Sequence, residues 1–204
     1  MTAEAVVRTD PTAASAGPAT WVEALLAERP RARQIEHLCD TRVLHRLLAR
    51  ASHERKPHGA IGRYRKLDEP VFVLVNVRPE APMVSTTCPP ARVAQEMAML
   101  GNRIRSLLTD PPAPEQQRKE LAAILATFFR IHPYRDGNGR IARILFRRAA
   151  RLLELPLTER WSLDTSGYGA AMSLAVESYH LSPRPLEFVL NRYFAGPDGP
   201  AAAA

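Results

Sequence analysis

Cysteine is scarce in this chain: Cys39 and Cys88 are the only two in 204 residues. Two thiols cannot hold a small fold together, which excludes a disulfide scaffold. A chain of this length buries a sufficient core without such staples. Lysine is nearly missing as well. Of the 28 basic residues only Lys56, Lys66 and Lys119 are lysines; the rest are arginines. No apolar run approaches the roughly 18 residues that cross a bilayer, so neither a span nor a membrane partner is expected. The first residues lack a charged stretch followed by an apolar one, so no Sec-type leader is expected either. With this sparing, reduced-looking cysteine usage, action in the cytoplasm is the expectation. Delivery into another cell by a non-classical route stays open.

What is present is ordinary globular material: 46% hydrophobic and 24% charged residues, enough apolar surface to exclude disorder throughout. The formal net charge is +7. Arginine offers a planar, bidentate fork, so phosphate recognition is worth asking about. The same Arg, Ala and Pro enrichment follows from GC-rich coding. Charge alone is a weak cue for nucleic acid, and a nucleic-acid partner is not the first expectation.

Residues 1–19 carry small and polar residues with no apolar period and are expected to form a disordered tail, as is the stretch 195–204. Between them the pattern is mainly α. A short helix over Trp21–Glu28 stops at Pro30, and a longer one runs from about Arg33 to Ser52, with Ile35, Leu38, Cys39, Val43, Leu47 and Leu48 at helical spacing. Cys39 falls in that stripe and is expected to be a buried structural thiol. Val71–Val77 is β-branched and unbroken, Arg78–Pro82 turns the chain, and Met83–Thr87 can return antiparallel. This is the one good hairpin, and a lone hairpin needs something to lie on. Further helices are expected at about 90–108, 114–131, 138–153, 165–179 and 184–194. Leu121–Ile131 is apolar nearly all round, which predicts a central buried helix.

The informative stretch is His132-Pro133-Tyr134-Arg135-Asp136-Gly137-Asn138-Gly139-Arg140-Ile141-Ala142-Arg143. Pro133 disfavours helical geometry in the residue before it, so the buried helix ends here with His132 at its tip. Asp-Gly-Asn-Gly makes a tight turn with two residues free to adopt positive φ. A new helix starts at once, and its first N–H groups make an anion site by geometry and by dipole. Arg140 and Arg143 lie one turn apart at its start, with Arg147 and Arg151 continuing the stripe. Cations there oppose the macrodipole, which makes sense if a polyanion such as a triphosphate sits in front of them. Asp136 suits Mg²⁺ held by one carboxylate plus phosphates. His132 titrates near physiological pH and can act as a general base. Together these are the parts that move a phosphorus centre onto a hydroxyl. His37, His45, His53, His58 and His180 show no ligand spacing and are expected to be surface or core fillers.

The string HPYRDGNGRIAR resembles the Fic motif, usually written HPFx[D/E]GNGRxxR. It matches at every fixed position except Phe, which is Tyr134 here. Gly62-Arg63-Tyr64-Arg65, the strand pair, then Pro89-Pro90 and a helix with Val93, Met97 and Leu100 look like the flap and following helix of Fic domains. Tyr168, Ala171 and Pro185-Leu186-Glu187-Phe188 look like the family's closing helices. The chain is thus similar to the Fic (Fido) family over about 55–194, with residues 20–54 as N-terminal helices packed on that core.

The resemblance implies a mainly α, Fic-type helical domain with one β-hairpin flap, and a protein adenylyltransferase that moves AMP from ATP to a Ser, Thr or Tyr hydroxyl. In that reading His132 deprotonates the hydroxyl and Asp136 holds Mg²⁺. Gly137, Asn138 and Gly139 form the anion hole, Arg140 and Arg143 grip the outer phosphates, and Tyr134 anchors the loop in the core. The hairpin 71–87 becomes a flap that binds the target protein along its edge. Relatives that move UMP, phosphocholine or a phosphoryl group leave the transferred group open. The family's inhibitory [S/T]xxxE[G/N] string is met only by Ser173-Leu-Ala-Val-Glu177-Ser178, where Ser178 departs from it. A separate antitoxin, or no restraint at all as in a toxin or effector, is the expectation. The rival classes are a basic nucleic-acid-binding protein and a silent nucleotide-binding module.

Overall fold

The computed structural model describes residues 17–52, 61–66, 72–75, 83–158, 184–191 and 193–194. Helix α1 (Pro18–Ala27) starts on a proline at its first position, where the missing N–H costs nothing. It buries Val22 and Leu26. Where the apolar period predicts one helix over 33–52, there are two: α2 (Arg31–Cys39) and α3 (Thr41–Ala51). The break is at Asp40, at φ −110° and ψ 84°, whose carboxylate accepts the Arg42 N–H at 3.1 Å and so caps α3. Leu38 and Leu44 both reach the core, so the apolar stripe runs through the break and hides it.

Strands β1 (Phe72–Val75) and β2 (Met83–Thr86) pair antiparallel, with Phe72 opposite Thr86 and Val75 opposite Met83. Helix α4 (Pro90–Thr109) follows, then α5 (Pro114–Ile131) after the short Asp110–Ala113 link, then α6 (Asn138–Leu152) and α7 (Arg184–Asn191). The helix expected at 165–179 and the string at 173–178 lie outside the described residues. So do both expected tails apart from residues 17–19.

Helix α5 is the axis, packed against α4, α6 and α7. Leu121, Leu125 and Phe128 are fully enclosed, as its composition predicts. Helix α2 crosses α4 so closely that a Cβ on Gly101 would come within 2.7 Å of the Cys39 carbonyl oxygen. Cys39 itself is half-buried, and burial pushes its thiol pKa upward. Arg31, at the start of α2, donates to the Leu152 carbonyl at 2.7 Å and to the Leu108 carbonyl at 3.3 Å. One guanidinium thereby satisfies orphan carbonyls near the ends of α6 and α4.

Candidate active site

His132 closes α5 in a left-handed conformation, φ 47° and ψ 62°, with its N–H on the Phe128 carbonyl at 2.9 Å. Histidine tolerates this region better than most residues, and Pro133 denies it the helical alternative. The imidazole is half-buried. Nδ1 is shut away from solvent without a well-aligned hydrogen bond, which leaves Nε2 as the nitrogen able to take a proton from outside. Burial lowers the His132 pKa from the ordinary histidine value, and the Arg65 guanidinium lowers it further; the nearby Phe129 carbonyl pulls weakly the other way. Burial and Arg65 both favour the neutral imidazole at physiological pH.

The turn after it is held from below. Tyr134 is fully buried; its hydroxyl lies 2.8 Å from Thr41 Oγ1. Its ring stacks on His45 at 4.3 Å and 15°. Burial pushes the Tyr134 pKa far upward, so it stays a neutral anchor. His45, expected to be a filler, is part of this support. Its Nδ1 accepts the Gly62 N–H at 2.8 Å, just ahead of the segment leading to the hairpin. No spacing to other ligands could have revealed that, because Tyr134 and Gly62 come from distant segments of the chain.

Asn138 braces the turn from above. Its amide donates to the Tyr134 carbonyl at 2.6 Å and accepts the Tyr134 N–H at 3.1 Å. Both the oxygen and the nitrogen of the side chain are turned to Tyr134, which leaves the main-chain N–H of Asn138 for an anion hole. Gly137 caps α6 at φ 82°, a value suited to glycine. Gly139, also expected to be free for positive φ, is instead helical. Its use is space: among the described residues, nothing lies within 4 Å of where its Cβ would be. The first-turn N–H groups of Asn138, Gly139 and Arg140 are those a helix leaves without intrahelical partners.

Asp136, Gly137 and Arg140 are brought together. The Gly137 N–H donates to Asp136 Oδ1 at 2.6 Å, and Arg140 Nη2 lies 3.4 Å from Asp136 Oδ2. Arg140 also donates to Ser52 Oγ at 3.2 Å, which ties it to the end of α3. Asp136 is exposed, so its carboxylate is open to a cation from solvent. Arg143 sits half-buried on the same face of α6. Farther along, the arginine stripe serves the fold: Arg147 Nε lies 3.2 Å from Glu23 Oε2, a buried carboxylate on α1. Burial raises the Glu23 pKa, against the pull of Arg147, Arg151, Arg148 and Arg143. A cleft of about 340 Å³ opens beside Ile131, lined by Thr87, Cys88, Arg92, Glu96, Thr127 and Arg130 among others.

The family model that matches this chain is that of the Fic/DOC family, over residues 35–150. A search of the curated proteins finds no match. Among solved structures the chain is similar to the N-terminal Fic domain of a cell filamentation protein from Bartonella quintana, a VirB-translocated Bep effector solved with ADP bound. The identity is 14%, the TM-score 0.60, and the match covers 93% of this chain and 88% of that one. It is also similar to a Fic family protein from Desulfovibrio desulfuricans G20, at 21% identity and a TM-score of 0.50, covering 85% of this chain. This chain spans about half of that protein, 48%. With a helix-capping histidine, a glycine-cornered turn and a matched span that takes in more than half of its residues, the chain belongs to the Fic/DOC family.

Proposed function

We propose that this protein transfers AMP from ATP to the hydroxyl of a Ser, Thr or Tyr side chain on a target protein. The observation that carries this reading is the placement of His132: an imidazole favoured in its neutral form at the tip of a buried helix, one short braced turn ahead of the open N-terminus of α6. In this reaction His132 Nε2 takes the proton of the incoming hydroxyl, whose oxygen bonds to the α-phosphorus as the α–β phosphoanhydride bond breaks and pyrophosphate leaves. The first-turn N–H groups of α6 stabilise charge on the phosphate oxygens, and Arg140 and Arg143 hold the outer phosphates. Mg²⁺ suits Asp136, an exposed hard-oxygen donor beside an anion cradle. Asp136 would hold it with the phosphates, where it supplies neutralising charge. Among the described residues no group of three or more His, Cys, Asp or Glu could hold a metal. One carboxylate plus phosphates needs no such group. The hairpin and the neighbouring cleft give the target a strand edge and room for residues flanking the acceptor.

Incubation with α-labelled ATP, Mg²⁺ and a lysate tests the reading. The expected result is label on protein, lost in His132→Ala, with an acid limb of the rate below the ordinary histidine pKa of 6.5 because protonation of a depressed base removes activity. Label from γ-labelled ATP alone means phosphoryl transfer, and label from UTP alone means uridylyl transfer; either overturns the adenylyl reading. Salt-sensitive nucleic-acid binding that survives His132→Ala, without transfer, favours the nucleic-acid rival.

A further inference from the structure

We propose that Arg65 is a positioning residue for His132, a single buried guanidinium that fixes the main chain around the imidazole and fastens the end of β2 to it. The proposal rests on reading His132 as the base. Arg65 is 5% exposed. Its N–H donates to the Pro133 carbonyl at 2.9 Å, its Nε to the His132 carbonyl at 2.9 Å and its Nη2 to the Ile131 carbonyl at 3.1 Å. Three consecutive carbonyls thus accept from one residue. Ile131 and His132 are at the end of α5, where carbonyls lack intrahelical partners and the helix dipole favours a cation.

The same Nη2 reaches across the hairpin. It donates to Thr87 Oγ1 at 3.1 Å and to the Cys88 carbonyl, just past the end of β2. The Cys88 N–H closes the ring by donating to the Arg130 carbonyl at 2.9 Å. Thr87 and Cys88 directly follow β2, so the end of that strand is bolted to the helix end that carries the base. A left-handed conformation is strained for a residue other than glycine. His132 keeps that conformation, and hence the aim of its ring, because neighbouring carbonyls are held. Lysine has one nitrogen and cannot span this set.

Charged and titratable groups in the elements around His132 include Tyr64, Arg65 and Lys66 in the segment before β1, Cys88 ahead of α4, Arg92 and Glu96 on α4, Arg130 on α5, Tyr134, Arg135 and Asp136 in the turn, and Arg140 and Arg143 on α6. Among these the charge of Arg65 is the one that depresses the imidazole.

The test compares full-length Arg65→Gln and Arg65→Lys with wild type, with folding checked by circular dichroism. Three quantities are read: kcat, KM for ATP, and the NMR titration of the His132 imidazole. Arg65→Gln is expected to lose about 100-fold in kcat, the usual cost of misplacing a reacting group by an ångström, with KM for ATP within about twofold. Its His132 titration moves up toward the ordinary histidine value. Arg65→Lys keeps the charge, and so the titration, but loses roughly tenfold in kcat because the clamp is gone. A folded Arg65→Gln with kcat near wild type, or with an unmoved His132 titration, overturns the proposal. So does full rescue by lysine, which leaves charge alone as the cause.

Should Arg65→Gln fail to fold, Arg65→Lys and Thr87→Val carry the test. Thr87→Val removes one strap on the hairpin side and is expected to lower kcat several-fold; unchanged kcat in both folded variants overturns the proposal. The NMR titration needs no turnover. Absence of AMP transfer in wild type therefore defeats the functional reading, while an unmoved His132 titration in a folded Arg65→Gln overturns the role of Arg65 by itself.

Discussion

Tyr134 carries the largest local consequence of one atom. Its hydroxyl and that of Thr41 are both buried and satisfy each other. Tyr134→Phe strands the Thr41 hydroxyl and is expected to cost about 1–3 kcal/mol in urea unfolding. Adding Thr41→Val removes the orphan and should restore much of that loss. Gly139 behaves in the opposite way. It is helical and, among the described residues, nothing lies near its Cβ position, so Gly139→Ala should leave thermal stability unchanged or raise it by up to about 1 kcal/mol. The new methyl stands before the N–H cradle, so KM for ATP should rise. A destabilised Gly139→Ala with unchanged KM contradicts the open cradle.

At the scale of elements, α6 divides its arginines between two tasks. Arg140 reaches Asp136 and Ser52 at its start, while Arg147 pairs with Glu23 on α1, which also feels the charge of Arg143. Arg147→Ala removes the paired cation of a buried carboxylate and leaves only the weaker pull of Arg151, Arg148 and Arg143, so it is expected to cost stability near neutral pH. The Glu23 pKa is already raised by burial, so lowering the pH protonates it and the penalty should shrink. Chemical denaturation of wild type and variant at pH 7 and pH 5 reads the difference. An equal deficit at both values means the loss is packing rather than charge. The break between α2 and α3 belongs to this scale too: Asp40 caps α3, and its pKa is held low by hydrogen bonds from Arg42 despite partial burial.

For the whole molecule, arginine is the common fastener. Arg31 closes the ends of α4 and α6, and Arg65 closes α5 and straps the hairpin. Part of the +7 charge therefore answers to helix carbonyls, not to nucleic acid. Close crossing of α2 and α4 completes the frame. Gly101→Ala pushes a methyl against the Cys39 carbonyl, main chain that cannot swing away. It is expected to lower global stability by about 1–3 kcal/mol in a thermal melt. An unchanged melting temperature would show that the two helices separate freely.

The sequence by itself determined the mainly α character, the strand pairing, the central helix and the string that marks the family. Those features are local: apolar period, β-branched runs, a proline after histidine and a glycine-cornered turn act over a few residues of chain. It could not show that a carboxylate breaks the helix at Asp40, since the apolar stripe passes straight through. Nor could it show that the Asn138 side chain is spent on Tyr134 or that His45 is a support. Only the tertiary structure decided what holds His132 in place. Arg65 lies far from it along the chain, and carbonyl groups, which every residue has, leave no mark in a sequence until folding brings a donor to them.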